Sequence, residues 1–255
     1  MLGFLKKLLA VVSFAVLITG ASLAAQSTPV KNVILVHGAF ADGSSWSKVI
    51  PLLQSKGFHV RSVGIPLTSF ADDVAATKRA IAAEEGSVIL VGHSYGGLVI
   101  TEAGNDPKVV GLVYVAAFAP DANQTIEEIS KPFPPPLGLS KLKPLSDGFL
   151  LLTPEGVETA FAQDLTKEEK SLLVAVQPQT SGSIFGAKPT AAAWRSKPSW
   201  YIVASNDNMI APEHEKSMAK QINATTTVLP SSHVAMLSHA KEVAKVIEDA
   251  TAGKK

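Results

Sequence analysis

A serine hydroxyl becomes a useful nucleophile only when a base removes its proton and a carboxylate orients that base. Three residues of this sequence have the types and the order for that work. Ser94 lies in Gly92-His93-Ser94-Tyr95-Gly96-Gly97, after the aliphatic run Val88-Ile89-Leu90-Val91 and before the helical stretch Leu98 to Ala103. A strand, a sharp Gly-x-Ser-x-Gly turn and a helix make a nucleophile elbow, which leaves the serine oxygen exposed. Gly92 and Gly96 have a mechanical reason there, because side chains would clash across so tight a turn. Downstream, Asp207 sits in Ser205-Asn206-Asp207-Asn208 beyond the apolar run Tyr201 to Ala204, and His233 in Pro230-Ser231-Ser232-His233 beyond Thr225 to Leu229. Serine, acid and histidine in that order, each after a strand, predict acyl-transfer chemistry by Ser94, His233 and Asp207.

Other readings of these residues are blander. Asn-Asp-Asn is good turn chemistry, but its place after a strand favours Asp207 as the acid over Asp121, Asp147 and Asp164, which lie in less regular sequence. Of the six histidines, His59 falls within a strand, and His214 is expected on a helix face that meets water. His239 opens the last helix, where a solvated role is the default. His37 and His93 are embedded in motifs and are expected to pack or to bond to backbone. A tetrahedral intermediate needs donors for its oxyanion. The N–H of Tyr95, just past the nucleophile, supplies one, and the N–H of Ala39 in His37-Gly38-Ala39-Phe40 supplies the second. Phe40, Phe118 and Phe133, with Tyr95 and Leu137, are candidates for an apolar substrate pocket, though ordinary core packing would explain each equally well. No His-Glu-x-x-His pair, no cysteine and no carboxylate cluster suggests a metal. No Gly-x-Gly-x-x-Gly follows the first strand, so no dinucleotide is implied and no cofactor is expected.

The elements that must position these residues are legible in the hydrophobic pattern. Val33-Ile34-Leu35-Val36 reads as a strand buried on both faces. Ser44 or Ser45 is expected to cap a helix carrying Trp46, Val49, Ile50 and Leu53, ended by Gly57. His59 to Gly64 gives a second strand. Ser69 and Asp72 resemble a capping box opening a helix to Gly86, and Val109 to Val115 is another buried strand. This alternation predicts a mostly parallel, doubly wound α/β sheet. It stops at residues 121 to about 195, where Pro132, Pro134, Pro135, Pro136 and Pro144 precede helix-like pieces at Glu155 to Ala162 and Lys167 to Val176. That segment is expected to be an inserted helical cap. The sheet pattern resumes at Trp200. Pro212 opens a helix to Ile222, Thr225 to Leu229 is the last strand, and Ser238 is expected to cap a terminal helix.

At the N-terminus, Lys6 and Lys7 precede an apolar run from Leu8 to Ile18 and small residues around Ser22-Leu23-Ala24 or Leu23-Ala24-Ala25. This is the layout of a secretory signal peptide over residues 1–25, which predicts export to the periplasm or beyond; an uncleaved anchor is the competing reading. The remainder, from residue 30 to 255, suffices for one α/β domain. A net charge of +1 without basic runs argues against a nucleic-acid partner, and 46% hydrophobic content against disorder. The expected partner is a small-molecule ester, with no stable membrane span after processing.

With these motifs in place, the chain resembles the α/β-hydrolase fold superfamily, and within it the bacterial hydrolases similar to plant methylesterases and hydroxynitrile lyases. The resemblance rests on Val36-His37-Gly38-Ala39-Phe40, the Gly92 to Gly97 elbow, Phe161-Ala162-Gln163-Asp164, Pro198-Ser199-Trp200-Tyr201, Asp207 with Ile210-Ala211-Pro212-Glu213, and Ser232-His233. It implies a cofactor-independent serine hydrolase of small, largely apolar carboxylic esters. Related lyases carry a threonine where this chain has Gly38 and a lysine where it has Val234, so lyase chemistry is disfavoured. Haloalkane dehalogenases need an aspartate where Ser94 stands. Cofactor-free oxygenases and perhydrolases share the framework and stay open, as does a non-catalytic ligand-binding member of the fold.

Overall fold

A computed structural model describes residues 30–254; the expected signal peptide lies outside the described residues. In chain order, β1 (Asn32–Val36) leads through α1 (Val49–Gln54) to β2 (His59–Val63), and α2 (Phe70–Ala83) leads to β3 (Val88–His93). Then α3 (Gly96–Ala103) leads to β4 (Val109–Val115). The inserted segment holds α4 (Ile126–Ser130), β5 (Leu142–Pro144), β6 (Phe149–Leu152), the single turn α5 (Pro154–Gly156), α6 (Lys167–Val176) and β7 (Thr180–Ser181). The sheet resumes with β8 (Ser199–Ala204), α7 (Pro212–Gln221) and β9 (Thr225–Leu229), and the chain closes with α8 (Ala235–Ser238) and α9 (Ala240–Thr251).

The runs read as buried strands form one six-stranded sheet, ordered β2-β1-β3-β4-β8-β9, with every pair parallel. Residues of β3 and β8 are buried throughout, as a strand covered on both faces must be. Full burial of each such aliphatic side chain is worth roughly 1.5–3 kcal/mol. From β1 the chain steps outward to β2, then crosses back to β3 on the other side of β1. Right-handed crossovers therefore put α1 on one face and α2 and α3 on the other. The reversal leaves a crevice beyond the carboxyl ends of β1 and β3, the place where open sheets bind ligands. Both the His37–Phe40 loop and the Ser94 turn emerge there. The last helix, α9, buries Val243, Val246, Ile247 and Ala250 and packs against α1 and the central strands.

Several local expectations need correction. Asp42, not Ser44 or Ser45, caps the first turn, which is a 3-10 turn over Gly43–Trp46. Its carboxylate, one residue earlier, already accepts the Ser44 N–H at 2.8 Å. Ser69 does cap α2, but the box is one-sided: the Asp72 carboxylate takes the Ser69 hydroxyl, because an aspartate is too short to reach back to the cap N–H. Ser238 belongs to α8, and His239 is the residue before α9. The insert is not purely helical. Its strands form a three-stranded antiparallel sheet, β5-β6-β7, which the proline-rich approach conceals. Two capping boxes, Thr125 with Glu128 and Thr166 with Glu169, start its helices. No helix among the described residues is long and apolar enough to cross a membrane.

Candidate active site

The elbow forms where β3 ends. Ser94 has φ of 53°, a left-handed backbone that costs a non-glycine residue on the order of 1–3 kcal/mol. Three backbone hydrogen bonds hold it there: Ser94 N–H to Val115 O (3.2 Å), and the N–H groups of Phe118 (3.1 Å) and Gly97 (2.9 Å) to Ser94 O. A Cβ at Gly92 would lie 2.6 Å from Gly96 O, and one at Gly96 2.7 Å from His37 O. Neither position accepts a side chain, which is why small residues frame the turn.

The structure brings Asp207 and His233 together, both almost fully buried, with His233 Nδ1 2.5 Å from Asp207 Oδ2. An imidazole hydrogen bond to a carboxylate is of the strong, charge-assisted kind. The other oxygen, Oδ1, accepts the N–H groups of Met209 (2.6 Å) and Ile210 (2.9 Å), so the loop after β8 wraps its own carboxylate. His233 and Ser94 share the wall of one cavity. The His233 ring sits 4.7 Å from the His93 ring and 5.3 Å from Phe161. His93 Nε2 donates to His233 O at 3.0 Å, and burial together with the neighbouring His233 holds His93 well below the usual histidine range, hence neutral. His37 is also neutral, its pKa lowered by burial. Its Nε2 accepts the Ile65 N–H (3.2 Å), so Nδ1 carries the proton and donates to Gly38 O (2.9 Å). Both histidines make the packing and backbone contacts expected of them.

Two backbone N–H groups beside the elbow are left without a partner. Among the described residues neither Ala39 N–H nor Tyr95 N–H finds an acceptor, although both residues are buried. An unpaired buried N–H costs about 1–3 kcal/mol and is rare without a purpose. The next N–H, of Phe40, is spoken for by Thr180 Oγ1 at 3.2 Å.

A cavity of about 680 Å³ opens above Ser94, walled by Phe40, Phe118, Phe133, Phe161, Phe185, Leu139 and Leu142. Phe40, Phe118 and Phe133, the three phenylalanine candidates, all line it. Tyr95 and Leu137 do not. The Tyr95 side chain is fully buried and donates to Asp73 Oδ2 at 2.7 Å. Burial pushes Asp73 up to about 6, and burial beside that carboxyl pushes the Tyr95 phenol up. Leu137 is not part of the cavity wall, which Leu139 joins instead. His214, expected to face water, is 3% exposed and lines the cavity. It stacks on Phe133 with centroids 4.3 Å apart. Its Nε2 has no partner, and burial lowers its pKa to about 4. The signal for it existed: His214, Glu215, Met218, Ala219 and Ile222 recur at helical spacing and are all buried.

The cap also grips the loops that carry these residues. Asp164 Oδ2 accepts the Ser232 N–H at 2.8 Å, Gln163 Nε2 donates to Asn206 O at 2.5 Å, and Gly138 N–H donates to Asn208 O at 2.9 Å. Asp164, weighed as an alternative acid, lies beside the His233 loop as a backbone acceptor. Asp121 pairs with Arg195 at the surface.

A serine on a strained strand-to-helix turn, a buried aspartate–histidine pair beyond later strands, and a cap over the sheet's switch point together define the hydrolase-fold class of site. The sequence model of the alpha/beta hydrolase family matches residues 33–246. The chain belongs to the alpha/beta hydrolase family of enzymes. It is similar to pyrethroid hydrolase from Sphingobium wenxiniae, 28% identical over 244 residues that cover 86% of this chain and 87% of that protein. Polyneuridine aldehyde esterase from Rauvolfia serpentina is 24% identical over 260 residues, 89% of this chain and 97% of that protein. The crystal structure of a pyrethroid hydrolase from Sphingobium faniae superposes with a TM-score of 0.76 at 24% identity, covering 87% of this chain and 97% of that one.

Proposed function

We propose that this chain is an exported, cofactor-independent serine carboxylesterase that cleaves largely apolar carboxylic esters through an acyl-enzyme. Ser94 Oγ attacks the ester carbonyl while its proton passes to His233 Nε2, and Asp207 holds the Nδ1–H and stabilises the imidazolium. The Ala39 and Tyr95 N–H groups receive the oxyanion, each worth about 2.7–4 kcal/mol of transition-state stabilisation. Collapse of the tetrahedral intermediate expels the alkoxide, which takes the proton back from His233. Water, activated by the same histidine, then releases the acid.

The observation that carries this reading is the buried His233–Asp207 hydrogen bond at 2.5 Å in the wall of the cavity that Ser94 enters from a left-handed turn. Relatives named as a hydrolase of pyrethroids and as an esterase support ester substrates. A cavity of about 680 Å³ lined by aromatic rings suits esters with a bulky aryl or alkyl portion better than acetates. Lyase chemistry finds no support: a Cβ on Gly38 would meet Ser94 Cβ at 2.7 Å, and apolar Val234, fully buried, follows His233 where a cation would be needed.

Covalent labelling with a fluorophosphonate tests the nucleophile. Wild type labels and turns over p-nitrophenyl esters, and Ser94→Ala does neither. Failure of the wild type to label under conditions that label a control esterase refutes the assignment.

A further inference from the structure

Glu215 is a carboxyl group that this mechanism does not use. It lies on α7, fully buried, and its Oε2 accepts the Ala204 N–H at 3.0 Å where β8 runs out toward Asp207. Its Oε1 is buried with no donor to satisfy it, at the same turn in which the Asp207 N–H donates to Ala204 O at 3.2 Å, so the two carboxyl groups meet around Ala204 and the charge of Asp207 acts on Glu215. Two ionised carboxylates cannot share a dry pocket, since each only accepts and their charges repel. The arrangement closes if one of them is protonated.

Which one holds the proton follows from the partners. Asp207 accepts three hydrogen bonds, from His233 Nδ1, Met209 N–H and Ile210 N–H, so its oxygens are already committed as acceptors. Glu215 accepts one, and burial and the Asp207 charge both push its pKa well above the carboxylate range. A carboxylate has about four lone-pair sites, so Asp207 retains one for an O–H donor. The titratable groups facing Glu215 from the neighbouring strands do not compete. Tyr201 spends its hydroxyl on the backbone of Ala117, and Tyr114, stacked behind it, shares a hydrogen bond with Thr101. His233 is engaged by Asp207.

We propose that Glu215 is a neutral carboxylic acid whose Oε1–H donates to Asp207, making it a positioning residue that orients the aspartate and disperses its charge behind His233. The inference rests on the role given above to Asp207. With the donor in place, Asp207 keeps its Oδ2 on the imidazole and draws the imidazolium less tightly, so the base is released at lower pH. Without it, the charge of Asp207 concentrates on His233, and a higher pH is needed to free the imidazole.

Two substitutions separate this from packing. Glu215→Gln keeps both a carbonyl for the Ala204 N–H and an N–H donor for Asp207, whereas Glu215→Met fills the space with neither. Expected results are a fall in kcat of more than about tenfold for E215M with KM little changed, and a shift of the acid limb of its kcat/KM profile to higher pH by about half a unit or more. E215Q recovers most of that kcat and the wild-type profile. Equal losses in both variants with unmoved profiles overturn the proposal. Difference infrared spectroscopy reads the proton directly, without turnover. The carbonyl stretch of a protonated acid is present at neutral pH in wild type and in Ser94→Ala, and absent in E215Q. Lack of that band in wild type refutes the neutral acid even if ester hydrolysis is confirmed. Its presence in a protein that cleaves no ester supports the neutral acid and refutes the esterase reading alone.

Discussion

Gly38 is the position at which one added methyl group tests the whole arrangement. A Cβ there would lie 2.7 Å from Ser94 Cβ, 3.0 Å from His93 Nδ1 and 3.1 Å from His93 O. Carbon atoms prefer about 3.5–4.0 Å, so Gly38→Ala must push the oxyanion loop and the elbow apart by roughly 1 Å. Neither side yields freely. Ser94 is held by its three backbone hydrogen bonds, and Gly38 O by the His37 ring. Overpacking of this kind costs about 1–3 kcal/mol of stability. Separating Ala39 N–H from Ser94 by that distance lowers kcat by up to about 100-fold. Measurement of kcat and KM on a p-nitrophenyl ester, the rate of fluorophosphonate labelling and urea denaturation resolve the two effects. Gly64→Ala is the control, since a Cβ at Gly64 meets nothing within 4 Å. A Gly38→Ala protein with wild-type stability and kcat, or a Gly64→Ala protein damaged as badly, would show that the loop and elbow are not packed as described.

Asp164→Ala strands the buried Ser232 N–H, which costs about 1–3 kcal/mol and lowers kcat by loosening the His233 loop. Asp164→Asn, retaining an oxygen acceptor, loses less on both measures, and equal behaviour of the two would contradict a hydrogen-bonding role. His214 has a folded pKa lowered from 6.5 to about 4, so in that window the unfolded chain binds a proton that the folded chain refuses. Its contribution is present above 6.5 and is lost as pH falls toward about 4, by on the order of 1.4 kcal/mol per pH unit. His214→Leu should therefore flatten the decline in urea midpoint between neutral and acidic pH, and an unchanged slope would count against burial of a neutral ring. Expressed in a bacterial host from Met1, the full chain should be recovered from the periplasm with an N-terminus after Ala24 or Ala25. Recovery of an intact N-terminus from the cytoplasm would rule out export.

The sheet and the places of Ser94, Asp207 and His233 could be read from the sequence because local rules decide them. Four aliphatic residues running into Gly-x-Ser-x-Gly have one good conformation, and strand ends on an open parallel sheet converge at one edge whatever the loops contain. Phe40, a neighbour of that edge along the chain, was legible for the same reason. The inserted cap and its helix α6 were legible too, but its short strands β5, β6 and β7 were not, because they are stabilised by pairing with one another and by bonds to the core such as Phe40 N–H to Thr180 Oγ1. No periodicity records such contacts. Tyr95 and His214 exchanged the roles expected of them for a tertiary reason. Tyr95 turns away from the cavity because buried Asp73 accepts its hydroxyl, and His214 turns in because α7 lays that face against β8 and the cap aromatics. The sequence alone determined the strands and the order in which Ser94, Asp207 and His233 follow them, since residue type and order suffice for that. Tertiary structure alone decided the shape and polarity of the cavity and brought Glu215 against Asp207, because side chains distant in sequence meet there only once the sheet, α7 and the cap have closed around them.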